Sequence, residues 1–191
     1  DFGTVGVDPE PAIAHHHRNG STTIEATIAT GTLASMRTRI RELSGYVRSG
    51  ELAGIHLEGP WLAPARKGAH DPSLLRTPDP AEVMGLVEAG DGAVRMITIA
   101  PELPGALDAI RAMVAAGVVA ALGHTAADAD TVRAALDAGA TNVTHLFNGM
   151  APFHHRGGGA VSAALTAAAR GEAVVELIAD GVHLAPEVVR M

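Results

Sequence analysis

Four residues with chemically useful side chains each close a short apolar run. Glu58 follows Gly54-Ile55-His56-Leu57, His124 follows Ala120-Ala121-Leu122-Gly123, His145 closes Thr141-Asn142-Val143-Thr144, and Asp180 follows Leu177-Ile178-Ala179. Two neutral imidazoles and a carboxylate are the ligand types of a divalent zinc or iron-like ion, and three protein ligands leave a position for water. Water on such an ion is acidified to a pKa of about 7, so hydrolysis near neutral pH is the chemistry suggested. One strand-end histidine alone reads as a hydrogen-bonded structural residue. Three suitable groups at equivalent ends of different strands read as a metal site. Cysteine is absent, which excludes disulfides, thiolate zinc sites and cysteine nucleophiles.

Two loops stand beside these residues. The first, 60–70, follows Glu58 directly and offers Arg66, Lys67 and His70 to polar or anionic groups, unless it is an ordinary surface loop with Trp61 packed down. The second, 148–159, combines Asn148, Gly149, His154, His155 and Arg156 with three further glycines. Exposed backbone N–H groups and a guanidinium there are suited to phosphate. The run His15-His16-His17 precedes Asn19-Gly20 and reads as a solvated helix end that binds metal only adventitiously.

The elements that must position these groups follow a βα pattern. Candidate strands lie at 22–29, 52–57, 93–100, 117–122, 141–145 and 173–179, with the third and sixth apolar enough to be covered on both faces. Helices are expected at 11–19, at 81–89 behind an Asp79-Pro80 start and before Gly90, at 105–116 before Gly117, and at 129–138 before Gly139. Six such units predict a (β/α) barrel more than an open sheet, with Glu58, His124, His145 and Asp180 sharing the mouth at the strand C-terminal ends. A full eight-unit barrel takes about 250 residues, so 191 residues imply a smaller sheet or a single partial barrel domain, 1–191.

Composition narrows the partners. The chain carries 14 Lys plus Arg against 21 Asp plus Glu, a formal charge of −7, and only five aromatic residues. That balance argues against a nucleic-acid surface, and 47% apolar residues argue against disorder. The longest apolar stretch, 112–123, is broken by Gly117 and too short to span a bilayer, and residues 1–10 lack signal-peptide features. No membrane contact and a cytoplasmic location are expected.

Five motifs in series, Gly54-Ile55-His56-Leu57-Glu58-Gly59-Pro60-Trp61, Lys67-Gly68-Ala69-His70, Gly123-His124-Thr125, Thr144-His145-Leu146-Phe147-Asn148-Gly149-Met150 and Ile178-Ala179-Asp180-Gly181-Val182-His183, resemble the N-acetylglucosamine-6-phosphate deacetylases of the amidohydrolase superfamily. The order and spacing agree from about residue 16 to residue 190. The resemblance implies a distorted TIM barrel of the amidohydrolase type that hydrolyses the acetamide of N-acetylglucosamine 6-phosphate. It implies Glu58, His124 and His145 as ligands of a divalent metal, with zinc first and iron or another ion as alternatives. Ala69, His70, Asn148 and the main chain of Gly149 would contact substrate, Arg156 would hold the phosphate, and Asp180, Gly181, Val182 and His183 would form a further contact segment. A homodimer is implied for the complete protein.

Gly149 departs mildly from relatives, which commonly carry Ala there. The family's His-x-His motif would precede residue 1, and its acid/base aspartate would fall beyond Met191; Asp180 matches a sugar contact and is no substitute. The catalytic residue is therefore left unassigned, and the isolated 191-residue chain is expected to be inactive and to associate through exposed sheet edges. Two other readings stay open: another metal-dependent amidohydrolase acting on a cyclic amide or nucleobase, and a non-catalytic phosphosugar-binding or scaffold protein.

Overall fold

A computed structural model describes residues 2–190. The first helix, α1 (Glu10–Arg18), leads into β1 (Glu25–Ala29), α2 (Leu33–Ser49) and β2 (Gly54–Glu58). Then follow α3 (Pro80–Ala89), β3 (Val94–Ile99), α4 (Ala106–Ala115), β4 (Val119–Leu122), α5 (Ala129–Asp137), β5 (Asn142–Val143), α6 (Gly159–Ala169), β6 (Val174–Val175) and the short α7 (Pro186–Val189). All six strands pair in parallel, in the order β1-β2-β3-β4-β5-β6. A doubly wound sheet reverses its strand order at a switch point. Here no reversal occurs among the described residues, and right-handed crossovers between successive neighbours put the connecting helices α2 to α6 on one side.

Local chemistry explains the helix ends. The Asp79 carboxylate accepts from the Ala81 N–H ahead of Pro80, and Asp128 does the same for Thr131, filling donors that the first turn leaves open. Thr32 caps α2, which stops at Gly50 in the left-handed conformation. Helices α2 and α6 follow β1 and β5, and α6 starts without a side-chain cap. The α2 stripe Met36, Ile40 and Leu43 is buried between charged residues, and α6 is largely alanine.

One face of the sheet is apolar. Ala26 and Ile28, Ile55 and Leu57, Ile97 and Ile99, Ala120 and Leu122, and Val143 belong to the same buried core as Ile40, Leu86, Ile110, Val132 and Val161 of the helices. The opposite, concave face is polar. It carries Thr27, His56, Glu58, Thr98, Asn142 and Thr144, and near its floor Glu25, Arg95 and Glu176. This differs from the expectation that the third and sixth strands are apolar on both faces. Arg95 is exposed on β3, and β6 is an edge strand paired only with β5, leaving Val174 65% exposed. Its pairing with β5 starts where Val174 N–H donates to Thr141 O and ends at Glu176, whose N–H donates to Val143 O and whose carbonyl accepts from Leu146 N–H, so β6 is much shorter than 173–179.

Candidate metal centre

Glu58 ends β2, while His124 and His145 each stand two residues past the last residue of β4 and β5. Both histidines turn out of their strands with positive φ, 46° and 30°. That region is costly for a residue with a side chain and persists only where the surroundings over-determine it. At His124 they do. Its carbonyl accepts from Ala63 N–H, and the following Thr125 donates its N–H to Gly149 O and its hydroxyl to Glu102. A second Glu102 oxygen accepts from Ala126 N–H at 2.6 Å.

The turn brings three donor atoms together. Glu58 Oε1 lies 2.9 Å from His124 Nε2 and 3.0 Å from His145 Nε2, and the two Nε2 atoms are 3.2 Å apart. His124 Nδ1 is 2.7 Å from the Arg66 carbonyl oxygen, and His145 Nδ1 is 3.1 Å from that of Asn148. A carbonyl only accepts, so each Nδ1 carries the proton, and a neutral ring then presents a lone pair at Nε2. Two nitrogen lone pairs and a carboxylate thus face one point, a repulsive arrangement unless a cation sits there. Zinc–ligand distances of about 2.0–2.1 Å imply tetrahedral edges of about 3.3 Å, close to the observed triangle. The donor set and its spacing therefore fit a divalent cation.

The electrostatics agree. Burial alone would raise the Glu58 pKa, but positive charge on the His124, His145 and His70 side of the cluster, in the place a bound cation would otherwise take, holds it well below the usual carboxylate range. Burial works against a proton on His145, yet its hydrogen bond and charge interaction with Glu58 raise its affinity for one. His56, two residues before Glu58, is sandwiched between Thr27 and Thr98, and burial depresses its pKa to about 4.

His70 is the fourth residue of the cluster and its third ring. Its Nε2 lies 3.7 Å from Glu58 Oε1, and its ring meets that of His124 edge-on at 4.7 Å between centroids. Loop 60–70 is thus no ordinary surface loop, although Trp61 is fully buried as the plainer reading had it. Arg66 serves through its main chain at His124, and Lys67 donates to Gly68 O. Ala69 is exposed beside His70. The His124 ring lies in a slot between Gly68 and Gly149, where added Cβ atoms would come within 3.1 Å and 3.0 Å of it. Asn148 is half-buried, its carbonyl at His145 Nδ1 and its amide donating to Leu146 O.

The remaining sequence candidates lie apart. Arg156, His154 and His155 occupy an exposed loop. Asp180 stands well past the end of β6, so its placement at a strand end is corrected: it forms its own turn, accepting from Val182 N–H, His183 N–H and His183 Nδ1. Those bonds hold its carboxyl at a pKa of about 2. Gly181 has φ 78° in that turn, and Val182 is exposed. The triple histidine closes α1 at the surface. The expected acid/base aspartate lies outside the described residues. Sequence reasoning missed Glu102, Thr98 and the role of His56. Glu102 stands three residues past β3, where the rule that picked the other strand ends would have found it.

No protein-family model matches the chain. N-acetylgalactosamine-6-phosphate deacetylase of Escherichia coli O157:H7 is 38% identical over 176 residues, 90% of this chain and 46% of that protein. N-acetylglucosamine-6-phosphate deacetylase of Vibrio furnissii is 37% identical over 171 residues, 87% of this chain and 42% of its own. The crystal structure of N-acetyl-D-glucosamine-6-phosphate deacetylase from Mycobacterium smegmatis superposes with a TM-score of 0.90 at 50% identity, covering 94% of this chain and 47% of that one. An aspartate-to-alanine variant of that enzyme, in complex with N-acetyl-D-glucosamine-6-phosphate, superposes with a TM-score of 0.91. The chain spans about half the length of the relatives it matches.

Fold and neighbours together define a six-unit arc of a (β/α) TIM barrel with a carboxylate–imidazole cluster at its strand C-terminal ends. Within that class, the chain belongs to the N-acetylglucosamine-6-phosphate deacetylase family.

Proposed function

We propose that the complete polypeptide carrying this sequence hydrolyses the acetamide of N-acetylglucosamine 6-phosphate to glucosamine 6-phosphate and acetate, with Glu58, His124 and His145 holding a divalent ion, zinc first. The carrying observation is the triangle of 2.9, 3.0 and 3.2 Å between a carboxylate oxygen and two imidazole nitrogens whose rings are fixed by carbonyls behind them. Zinc suits this imidazole and carboxylate set; iron or another divalent ion remains the alternative. When bound, the ion supplies Lewis acidity toward the amide carbonyl and lowers the pKa of water.

The chain's own residues do the rest. His70, beside Glu58 and His124, is placed to hydrogen-bond the oxygen on which charge develops as the amide becomes tetrahedral. The exposed Arg156 guanidinium anchors the phosphate and converts remote binding energy into orientation of the acetamide. Ala69, Asn148, the Gly149 main chain and the turn Asp180, Gly181, Val182 and His183 supply sugar contacts. The Asp180–His183 pair at 2.7 Å favours a turn set in shape before substrate arrives. A cytoplasmic homodimer goes with the family rather than with any contact described above. The galactosamine-named relative favours a second reading at the level of the sugar, since the two hexosamines differ only at C4.

The test is acetate release by the complete polypeptide from the 6-phosphates of N-acetylglucosamine and N-acetylgalactosamine and from unphosphorylated N-acetylglucosamine. Turnover confined to a phosphorylated sugar is expected. Equal rates with and without phosphate would defeat the clamp, and no acetate from any of them would defeat the deacetylase.

A further inference from the structure

The strand β3 contributes no candidate ligand, yet Thr98 on it sits at the middle of a buried polar belt. Its Oγ1 lies 2.7 Å from His56 Nε2 on β2 and 2.7 Å from Thr144 Oγ1 after β5, and His56 Nδ1 lies 3.0 Å from Thr27 Oγ1 on β1. Thr98, His56 and Thr144 are 0%, 5% and 2% exposed. Side chains on β3 and on the β5 strand are normally kept apart by one on β4, since neighbouring strands are about 4.8 Å apart. Gly123 removes that obstacle: a Cβ there would fall 2.7 Å from Thr98 Cγ2 and 3.0 Å from Thr144 Cβ.

The belt touches every strand that carries a candidate ligand, one or two residues before it: His56 before Glu58, Gly123 before His124 and Thr144 before His145. A neutral imidazole has one N–H, so one ring nitrogen of His56 donates and the other accepts, and Thr98 Oγ1 links His56 to Thr144 with either tautomer. Cutting it at Thr98 leaves both His56 Nε2 and the Thr144 hydroxyl without this partner. We propose that Thr98 is a positioning residue of the metal centre, setting the relative heights of the strands that bear Glu58 and His145 through His56 and Thr144. This rests on the metal reading of the preceding section.

The experiment compares zinc affinity, by chelator competition, and the visible spectrum of the cobalt-loaded protein for the complete polypeptide and its Thr98→Val and Thr98→Ser variants. Thr98→Val keeps the shape and loses the hydroxyl. It is expected to weaken zinc by about 10–100-fold, the range for outer-shell partners of metal ligands, and to shift the cobalt bands, while Thr98→Ser restores both. A cooperatively folded Thr98→Val with the parent's affinity and spectrum would overturn the proposal, because a residue that only satisfies buried polar groups would change melting and nothing else. Should Thr98→Val fail to fold, Thr27→Val cuts the belt at its outer end and must weaken zinc in the same direction; parental affinity in it overturns the proposal equally. Failure of the unmutated polypeptide to bind zinc would defeat the metal reading itself, a result distinct from either.

Discussion

His124 Nε2 and His145 Nε2 approach to 3.2 Å while each ring turns its Nδ1 to a main-chain carbonyl. Neither ring is free to put its proton between them without giving up that carbonyl bond. The main chain of two separate loops, at Arg66 and Asn148, thus decides that both rings present lone pairs to Glu58. Predictions follow from the groups that keep this geometry in place.

Glu102 fastens the turn after His124 by accepting from Thr125 Oγ1 and Ala126 N–H. Hydrogen bonds to a charged group contribute about 1.5–3 kcal/mol each. Glu102→Ala is expected to lower stability by about 3 kcal/mol, the low end for two such bonds because the residue is only half-buried, seen in denaturant titration as a shifted midpoint with unchanged slope. A loss within experimental error would show that the positive φ of His124 is held by other contacts.

His56 gives a pH dependence with a definite sign. Its pKa is about 4 in the fold against about 6.5 in an unfolded chain. Between those values the unfolded state binds more protons, so stability rises as pH rises through this window and is lost as pH falls through it. The size is about 3 kcal/mol, from roughly 1.4 kcal/mol per pH unit. Its ring resonances should show no titration near pH 6.5; a midpoint there would contradict the neutral, buried assignment.

Arg156 is exposed and on a loop, so its removal should leave the fold intact. Arg156→Ala is expected to raise KM for the 6-phosphate substrate by about 10–100-fold, in keeping with the loss of one charge-assisted anchor. Any activity on the unphosphorylated sugar should not change. An equal effect on both substrates would remove the phosphate role.

The sheet has two free edges, β1 and β6, among the described strands, and Val119, Val174 and Leu177 are exposed near the concave face and the β6 edge. Unpaired edges and apolar patches favour association. The 191-residue polypeptide on its own is expected to elute as oligomers in size-exclusion chromatography with light scattering. A monodisperse, cooperatively melting monomer would contradict this.

Much of the architecture was legible because apolar runs and glycine stops are local signals. All six strands fall within the segments 22–29, 52–57, 93–100, 117–122, 141–145 and 173–179, give or take a residue at Glu58. Helix α3 was marked by the Asp79 cap that the structure shows in place, and α4 and α5 by the glycines Gly117 and Gly139 that follow them. The short β6 was not legible, because an edge strand stops where its partner stops rather than where its own apolar run ends. Asp180 was misplaced for the same reason. Glu58, His124 and His145 were legible as residue types at strand ends, but their mutual distances come from a register no single strand encodes. The polar belt was hidden because threonine and glycine look like ordinary strand and loop residues until their neighbours across the sheet are known.

The central claim is that Glu58, His124 and His145 share one cation. Its most direct test is the metal content and zinc dissociation constant of the complete polypeptide, measured by equilibrium dialysis beside Glu58→Gln and His124→Ala. One tightly held divalent ion per chain is expected in the parent, with affinity lowered by at least about 100-fold in each variant, since ligands are worth more than the outer-shell groups that tune them. Unaltered zinc binding in either variant would contradict the account.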